Sequence, residues 1–130
     1  MPTITGFHHL ALTVTDVEAS ATWYCDLLGM VEVLGGDDDT VRFRVLAHPS
    51  SGCVVGLREY AAGSGDGFDE MRTGLDHVAF AVSSADELAA WEAELAKRQI
   101  TYTPAAVTPI GTVVVFRDPD NTQLEFWLPM

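Results

Sequence analysis

The sequence is short of basic residues. Seven Lys and Arg stand against 19 Asp and Glu in 130 residues, a formal charge of −12. Such a chain repels a phosphate backbone or an anionic lipid surface, and no local Lys/Arg cluster reverses the balance. Nucleic acid and membrane are therefore not expected partners. Long apolar runs are missing as well: no stretch approaches the roughly 20 residues of a membrane span. The opening MPTITG has no basic segment followed by an apolar one, so no signal peptide is expected. Cysteine is scarce. Cys25 and Cys53 lie far apart, form no CxxC motif, and are expected as reduced, buried thiols rather than a disulfide. Together these absences point to a cytoplasmic protein.

What is present is a 48% hydrophobic content, enough to bury a core in a single domain. The chain also repeats itself. FHHLALTVTDVEASATWYCDLL (7–28) aligns with LDHVAFAVSSADELAAWEAELA (75–96) at a shift of 77 − 9 = 68. His9 meets His77, Ala11 meets Ala79, and Trp23 meets Trp91. Further on, AHPSSGCVVGL (47–57) aligns with RDPDNTQLEFW (117–127) at a shift of 119 − 49 = 70, which sets Val55 against Glu125. Matches in the same order indicate one duplicated supersecondary unit.

Each unit reads as β-α-β-β-β. FHHLALTV alternates like a strand, and Thr15-Asp16-Val17-Glu18 has the form of a capping box. Val17, Ala21, Tyr24, Leu27 and Leu28 recur at helical spacing up to Gly29, a C-terminal stop. Strands are expected at 30–34, 40–47 and 53–60. The second unit has a strand at 75–82, a box at Ser84-Ala85-Asp86-Glu87, and a helix striped by Leu88, Trp91 and Leu95. Strands near 100–107, 112–117 and 122–128 complete it. The expected class is α+β: two βαβββ modules forming mixed sheets, at about 5–60 and 74–129, with a Gly-rich linker at 61–73, all within one domain spanning 1–130.

Strand alternation then assigns faces. Leu10, Leu12, Val14 and Val78, Phe80, Val82 should cover the helices, and His8 shares their face as a core histidine. The opposite face carries His9, Ala11, Thr13 and His77, Ala79, Ala81. Small residues behind two equivalent histidines leave room for a ligand. Glu125 sits between Leu124 and Phe126; if these cover the helix, Glu125 and Trp127 join the histidines. A carboxylate with two imidazoles suits a divalent ion (Fe, Zn, Mn, Ni or Co), with coordination positions left open for substrate. Along 41–46, Val41, Phe43 and Val45 are expected on the helix side, and Arg42, Arg44 and Leu46 in the pocket. Phe116 is their pocket counterpart in the second unit, and Val55 occupies the place equivalent to Glu125. Tyr60, Glu59 and Tyr102 are weak candidates for a general base. His48 and the run Asp37-Asp38-Asp39 read as turn residues.

HHLALTVTDVEASATWYCDLLGM, LDHVAFAV and FRDPDNTQLEFW together resemble the vicinal oxygen chelate superfamily, over about residues 6–128. That group includes glyoxalases, bleomycin resistance proteins, fosfomycin resistance transferases and dioxygenases. The resemblance implies cupped sheets around a metal held at His9, His77 and Glu125. It also implies a homodimer and a small oxygen-bearing substrate, with glyoxalase- or dioxygenase-like chemistry. The alternative it implies is a metal-free protein that sequesters an antibiotic or aromatic natural product. DPDN stands where the family has DPDG, and Asn121 can keep that turn left-handed.

Overall fold

The structure is a computed structural model and describes residues 1–130. The chain forms two compact units, Met1–Gly67 and Phe68–Met130. Unit 1 comprises β1 (Leu10–Thr13), α1 (Val17–Leu28), β2 (Val31–Asp37), β3 (Val41–Ala47) and β4 (Val54–Tyr60). Unit 2 comprises β5 (His77–Ala81), α2 (Ala85–Lys97), β6 (Tyr102–Thr108), β7 (Gly111–Arg117) and β8 (Gln123–Pro129). The sheets have equivalent orders, β1-β4-β3-β2 and β5-β8-β7-β6. In each, the first strand pairs parallel with the last and the remaining pairs are antiparallel. The expected pair of βαβββ modules is therefore what the chain folds into.

The helices begin and end for local reasons. At the start of α1 it is Asp16, not Thr15, that caps, accepting a hydrogen bond from Ala19 N at 3.0 Å. Ser84 caps α2 through Glu87 N at 3.1 Å. Gly29 closes α1 in the left-handed region at φ 69°, its N–H donating to the Cys25 carbonyl. Gln99 takes the corresponding left-handed place after α2 at φ 58°, without glycine's freedom. Gln99→Gly is therefore expected to stabilise the protein by about 0.5–1 kcal/mol, read as a higher denaturant midpoint at unchanged slope. Asn121, at φ 69°, completes the DPDN turn in which the Asp118 carboxylate accepts from Asp120 N and Thr122 N.

The core of each unit lies between helix and sheet. In unit 1, Leu12, Leu46, Val55 and Leu57 meet Val17, Ala21, Tyr24 and Leu28 of α1. In unit 2, Phe126 stacks on Trp91 of α2 at 4.4 Å and on Phe116 at 4.8 Å, with Val114, Leu124 and Leu95 around them. Both cysteines are free; Cys25 is half-buried, and Cys53 is exposed rather than buried. Burial and the neighbouring carboxylates of Glu32 and Asp26 push the Cys25 thiol pKa up, which keeps it protonated and unreactive. No helix is long and apolar enough to cross a membrane.

Candidate functional site

In unit 2, alternation along β8 sends Leu124 and Phe126 to the helix and Gln123, Glu125 and Trp127 to the open face. β5 is parallel to β8, and Ala79 lies directly beside Glu125. His77 and Ala79 are exposed on that same face, whereas Glu125 is only 6% exposed. A carboxylate so enclosed needs partners. Gln123 Nε2 donates to its Oε1 at 2.8 Å, and the Trp127 indole N–H donates to its Oε2.

His77 Nε2 lies 3.7 Å from Glu125 Oε2. Its other ring nitrogen, Nδ1, donates to Asp76 Oδ1 at 2.6 Å. With Nδ1–H so committed, a neutral His77 presents the Nε2 lone pair to the carboxylate. Two acceptors then face one another, beyond hydrogen-bond distance. A proton, a cation or a water donating to both relieves that arrangement. A carboxylate orienting the far nitrogen of a histidine is also how metal-binding imidazoles are held.

The face continues toward the start of unit 2. Arg117, opposite Gln123, reaches Glu70 Oε1 at 2.9 Å and the Asn121 carbonyl at 3.0 Å. The Arg117 guanidinium holds the Glu70 carboxyl below the usual carboxylate range. A carboxyl depressed in the folded state contributes stability above its unfolded value, lost as pH falls through the folded one. Below about pH 4 the segment bearing Glu70 is therefore expected to loosen in wild type. Proteolysis near residue 70, followed against pH, checks this; Glu70→Gln should show the loosened behaviour already at neutral pH.

In unit 1 the first strand begins later than expected. β1 opens at Leu10, so His8 and His9 precede it, and both are exposed. Their rings meet edge to face at 5.1 Å, and their Nδ1 atoms share a hydrogen bond at 2.8 Å. His8 is thus not a core histidine: a histidine before the strand has no helix to cover it. Ala11 and Thr13 are exposed on the open face. Within neither unit are three or more His, Cys, Asp or Glu side chains grouped as a metal site.

Residues 6–126 match the family described as the Glyoxalase/Bleomycin resistance protein/Dioxygenase superfamily. The chain belongs to that superfamily. Among solved structures, it is 39% identical to a glyoxylase/bleomycin resistance protein/dioxygenase domain from Frankia sp. EAN1pec, covering 98% of this chain and 100% of that one at a TM-score of 0.91. The glyoxalase family protein from Enterococcus faecalis is 20% identical, with 95% and 97% covered and a TM-score of 0.78. The fosfomycin resistance protein FosX from Listeria monocytogenes, complexed with Mn(II) and a sulfate ion, is 17% identical, with 98% and 95% covered and a TM-score of 0.75. The last two likenesses are of fold. No curated protein matches the sequence.

Within this superfamily fold, β3 has the reverse of the expected parity: Arg42, Arg44 and Leu46, with Val55 and Phe116, stand on the helix side, and Val41, Phe43 and Val45 take the open face. Leu46 pairs with Val55 and Arg44 with Leu57, all on the face that α1 covers. Arg42 and Arg44 both reach Glu18 on α1, and Arg44 also binds Asp37 at 2.7 Å. Their aliphatic stems lie along the sheet while the guanidinium groups reach the acidic rim. Phe116 is buried against Phe126. Of the candidate bases, Glu59 accepts from Val17 N at the start of α1 and pairs with Arg42, and Tyr102, opposite Phe116, shares its face. Only Tyr60 keeps the open parity of β4.

The open face of unit 1 is built instead from residues the sequence reading passed over. β4 is offset from β8 by 123 − 54 = 69, not 70, so Gly56 rather than Val55 corresponds to Glu125. The backbone alignments agree: Gly56 lies beside Ala11 as Glu125 lies beside Ala79. A Cβ at Gly56 would come within 3.3 Å of the Ala11 Cβ. Beyond it Arg58 lies over the Phe43 ring, 5.4 Å from its centroid. A guanidinium stacked on a ring and free of any carboxylate can take an anionic group of a ligand. The parity of the Gly56-Leu57-Arg58 stretch was the signal available for it.

The turn readings hold for His48, Asp38 and Asp39, whereas Asp37 closes β2 and pairs with Arg44. His48 shares a hydrogen bond with the Ser51 hydroxyl at 2.8 Å. Asp38 accepts from Thr40 N and Val41 N, which turns β2 into β3. Those two bonds lower the Asp38 carboxyl pKa.

Proposed function

We propose that this protein is a metal-dependent enzyme of its superfamily, acting as a homodimer on a small oxygen-bearing substrate. His9, His77 and Glu125 are its metal ligands. The observation that carries the reading is the His77 Nε2 lone pair facing Glu125 Oε2 across 3.7 Å. An imidazole nitrogen and a carboxylate oxygen so placed would hold a divalent ion. The nitrogen–oxygen donor set suits Fe, Zn, Mn, Ni or Co. Bound there, a divalent ion supplies Lewis-acid stabilisation of charge developing on substrate oxygens. The chain's own residues do the rest. Asp76 fixes the His77 tautomer, Gln123 and Trp127 hold the carboxylate, and Ala11, Thr13, Gly56 and Ala79 leave volume for the substrate. Arg58 receives an anionic substituent. The reaction belongs to the isomerisation, addition or ring-cleaving oxygenation class.

Elemental mass spectrometry of untagged protein beside a His77→Ala variant tests this reading. A stoichiometric transition metal in the wild type that is lost in the variant is expected. No metal in either protein, even after reconstitution, would overturn the proposal. One observation favours a second reading, a metal-free protein that sequesters an antibiotic or aromatic natural product. Within neither unit are three or more ligating side chains grouped. Tight binding of an aromatic cation without turnover, undiminished by chelator, is its expected signature.

A further inference from the structure

We propose that Arg117, acting through Gln123, is a positioning residue for Glu125, and that Glu70 locks Arg117 in that role. The geometry is a directional chain on one sheet face. Arg117 Nη2 donates to Gln123 Oε1 at 3.2 Å, and Gln123 Nε2 donates to Glu125 Oε1 at 2.8 Å. Behind Arg117, Glu70 accepts from Nη2 at 2.9 Å and from Nη1 at 3.4 Å, and the Asn121 carbonyl also accepts from Nη1.

The polarity of this chain is forced by chemistry. A guanidinium has donors only, so it can face only the oxygen end of the Gln123 amide. That turns the amide NH₂ toward Glu125. Without Arg117 the acceptor-only Glu125 carboxylate still faces the NH₂ end, but the amide oxygen loses its donor and the Gln123 side chain is held at one end only. The register of β7 on β8 places Arg117 opposite Gln123, and strand alternation places Gln123 and Glu125 on one face. The result is that Oε1 is held from the Gln123 side while Oε2, which accepts from the Trp127 indole, is turned toward His77 Nε2. The segment carrying Glu70 thereby acts on Glu125 through three side chains and touches no reacting atom.

The positioning stands on this geometry alone; its effect on metal affinity rests on the proposed function. Two measurements on the full chain keep these apart. In metal-free protein, ¹⁵N relaxation of the Gln123 side-chain amide is expected to report a rigid group in wild type. It should become mobile in Arg117→Met, with an order parameter below about 0.6, and rigid again in Arg117→Lys, which restores a donor. An amide already mobile in wild type, or unchanged in Arg117→Met, overturns the positioning. Mn²⁺ titration by calorimetry, with near-UV circular dichroism to confirm folding, is the second measurement. Arg117→Met and Gln123→Leu should each weaken binding about 10–100-fold, and the double variant should be no worse than either, because the two act in series. A loss in Arg117→Met that Gln123→Leu does not share overturns the relay. If wild type binds no Mn²⁺ while the relaxation result holds, the metal reading fails and the positioning of Glu125 stands.

Discussion

Glu125→Gln is expected to weaken Mn²⁺ binding by more than about 100-fold while leaving the fold intact. Losing a residue that orients a ligand typically costs 10–100-fold, and Glu125 is proposed as the ligand itself. The substitution keeps the side-chain shape and one acceptor, so Gln123 or the Trp127 indole keeps a partner. It also removes a buried charge, whose desolvation cost is no longer borne in the metal-free protein. Stability should therefore move by no more than about 1 kcal/mol, in either direction. Calorimetric titration with Mn²⁺ alongside a thermal melt reads both quantities. Unchanged affinity would remove Glu125 from the ligand set. A collapsed melting transition would instead make its role one of packing.

The largest stability effect belongs to Phe126→Ala, at about 3–5 kcal/mol. Phe126 is 2% exposed, and its ring lies stacked against Trp91 of α2 on one side and Phe116 on the other. Truncation removes the apolar area of the ring and leaves a cavity between helix and sheet that the flanking rings, each fixed on its own element, cannot close. Native domains hold only about 5–15 kcal/mol in all, so unit 2 should be near its unfolding point. Urea denaturation followed by near-UV dichroism, which reports the aromatic cluster, measures the loss. Phe7→Ala is the control. Phe7 is wholly exposed ahead of β1, and its loss should lie within about 0.5 kcal/mol of wild type. Equal effects at the two positions would contradict the packing described here.

The orientation of the site strand β8 was legible because Leu124 and Phe126 flank a carboxylate in an otherwise apolar stretch. Only one parity of that strand buries the hydrocarbon and spares the charge. Trp127 follows from the same parity. Neighbouring strands gave no such contrast. In TVVVFR (112–117) both parities are apolar, and in VRFRVLA (41–47) the arginines could as well face a pocket as reach over a rim. Gln123 and Arg117 were likewise invisible as a pair, since their contact exists only through the register of β7 on β8.

The sequence by itself determined what is local. A duplicated order of strand, helix and three strands is written in matched caps, stripes and stops, because each depends on residues within one or two turns of chain. Ser84 begins α2 and Gly29 ends α1 as their local patterns indicate, while the structure moves the α1 cap from Thr15 to Asp16. Tertiary structure decided what depends on pairing. It set β4 one residue away from the offset that the repeat suggested, which put Gly56 in place of Val55 as the counterpart of Glu125. It also turned Arg42, Arg44 and Phe116 toward the helices, and left Arg58 over Phe43 on the open face. The physical reason is the period of the strand. Alternation sorts side chains into two sets from sequence alone, but which set meets the helix is fixed by the neighbour strand's register, and a slip of one residue exchanges them all.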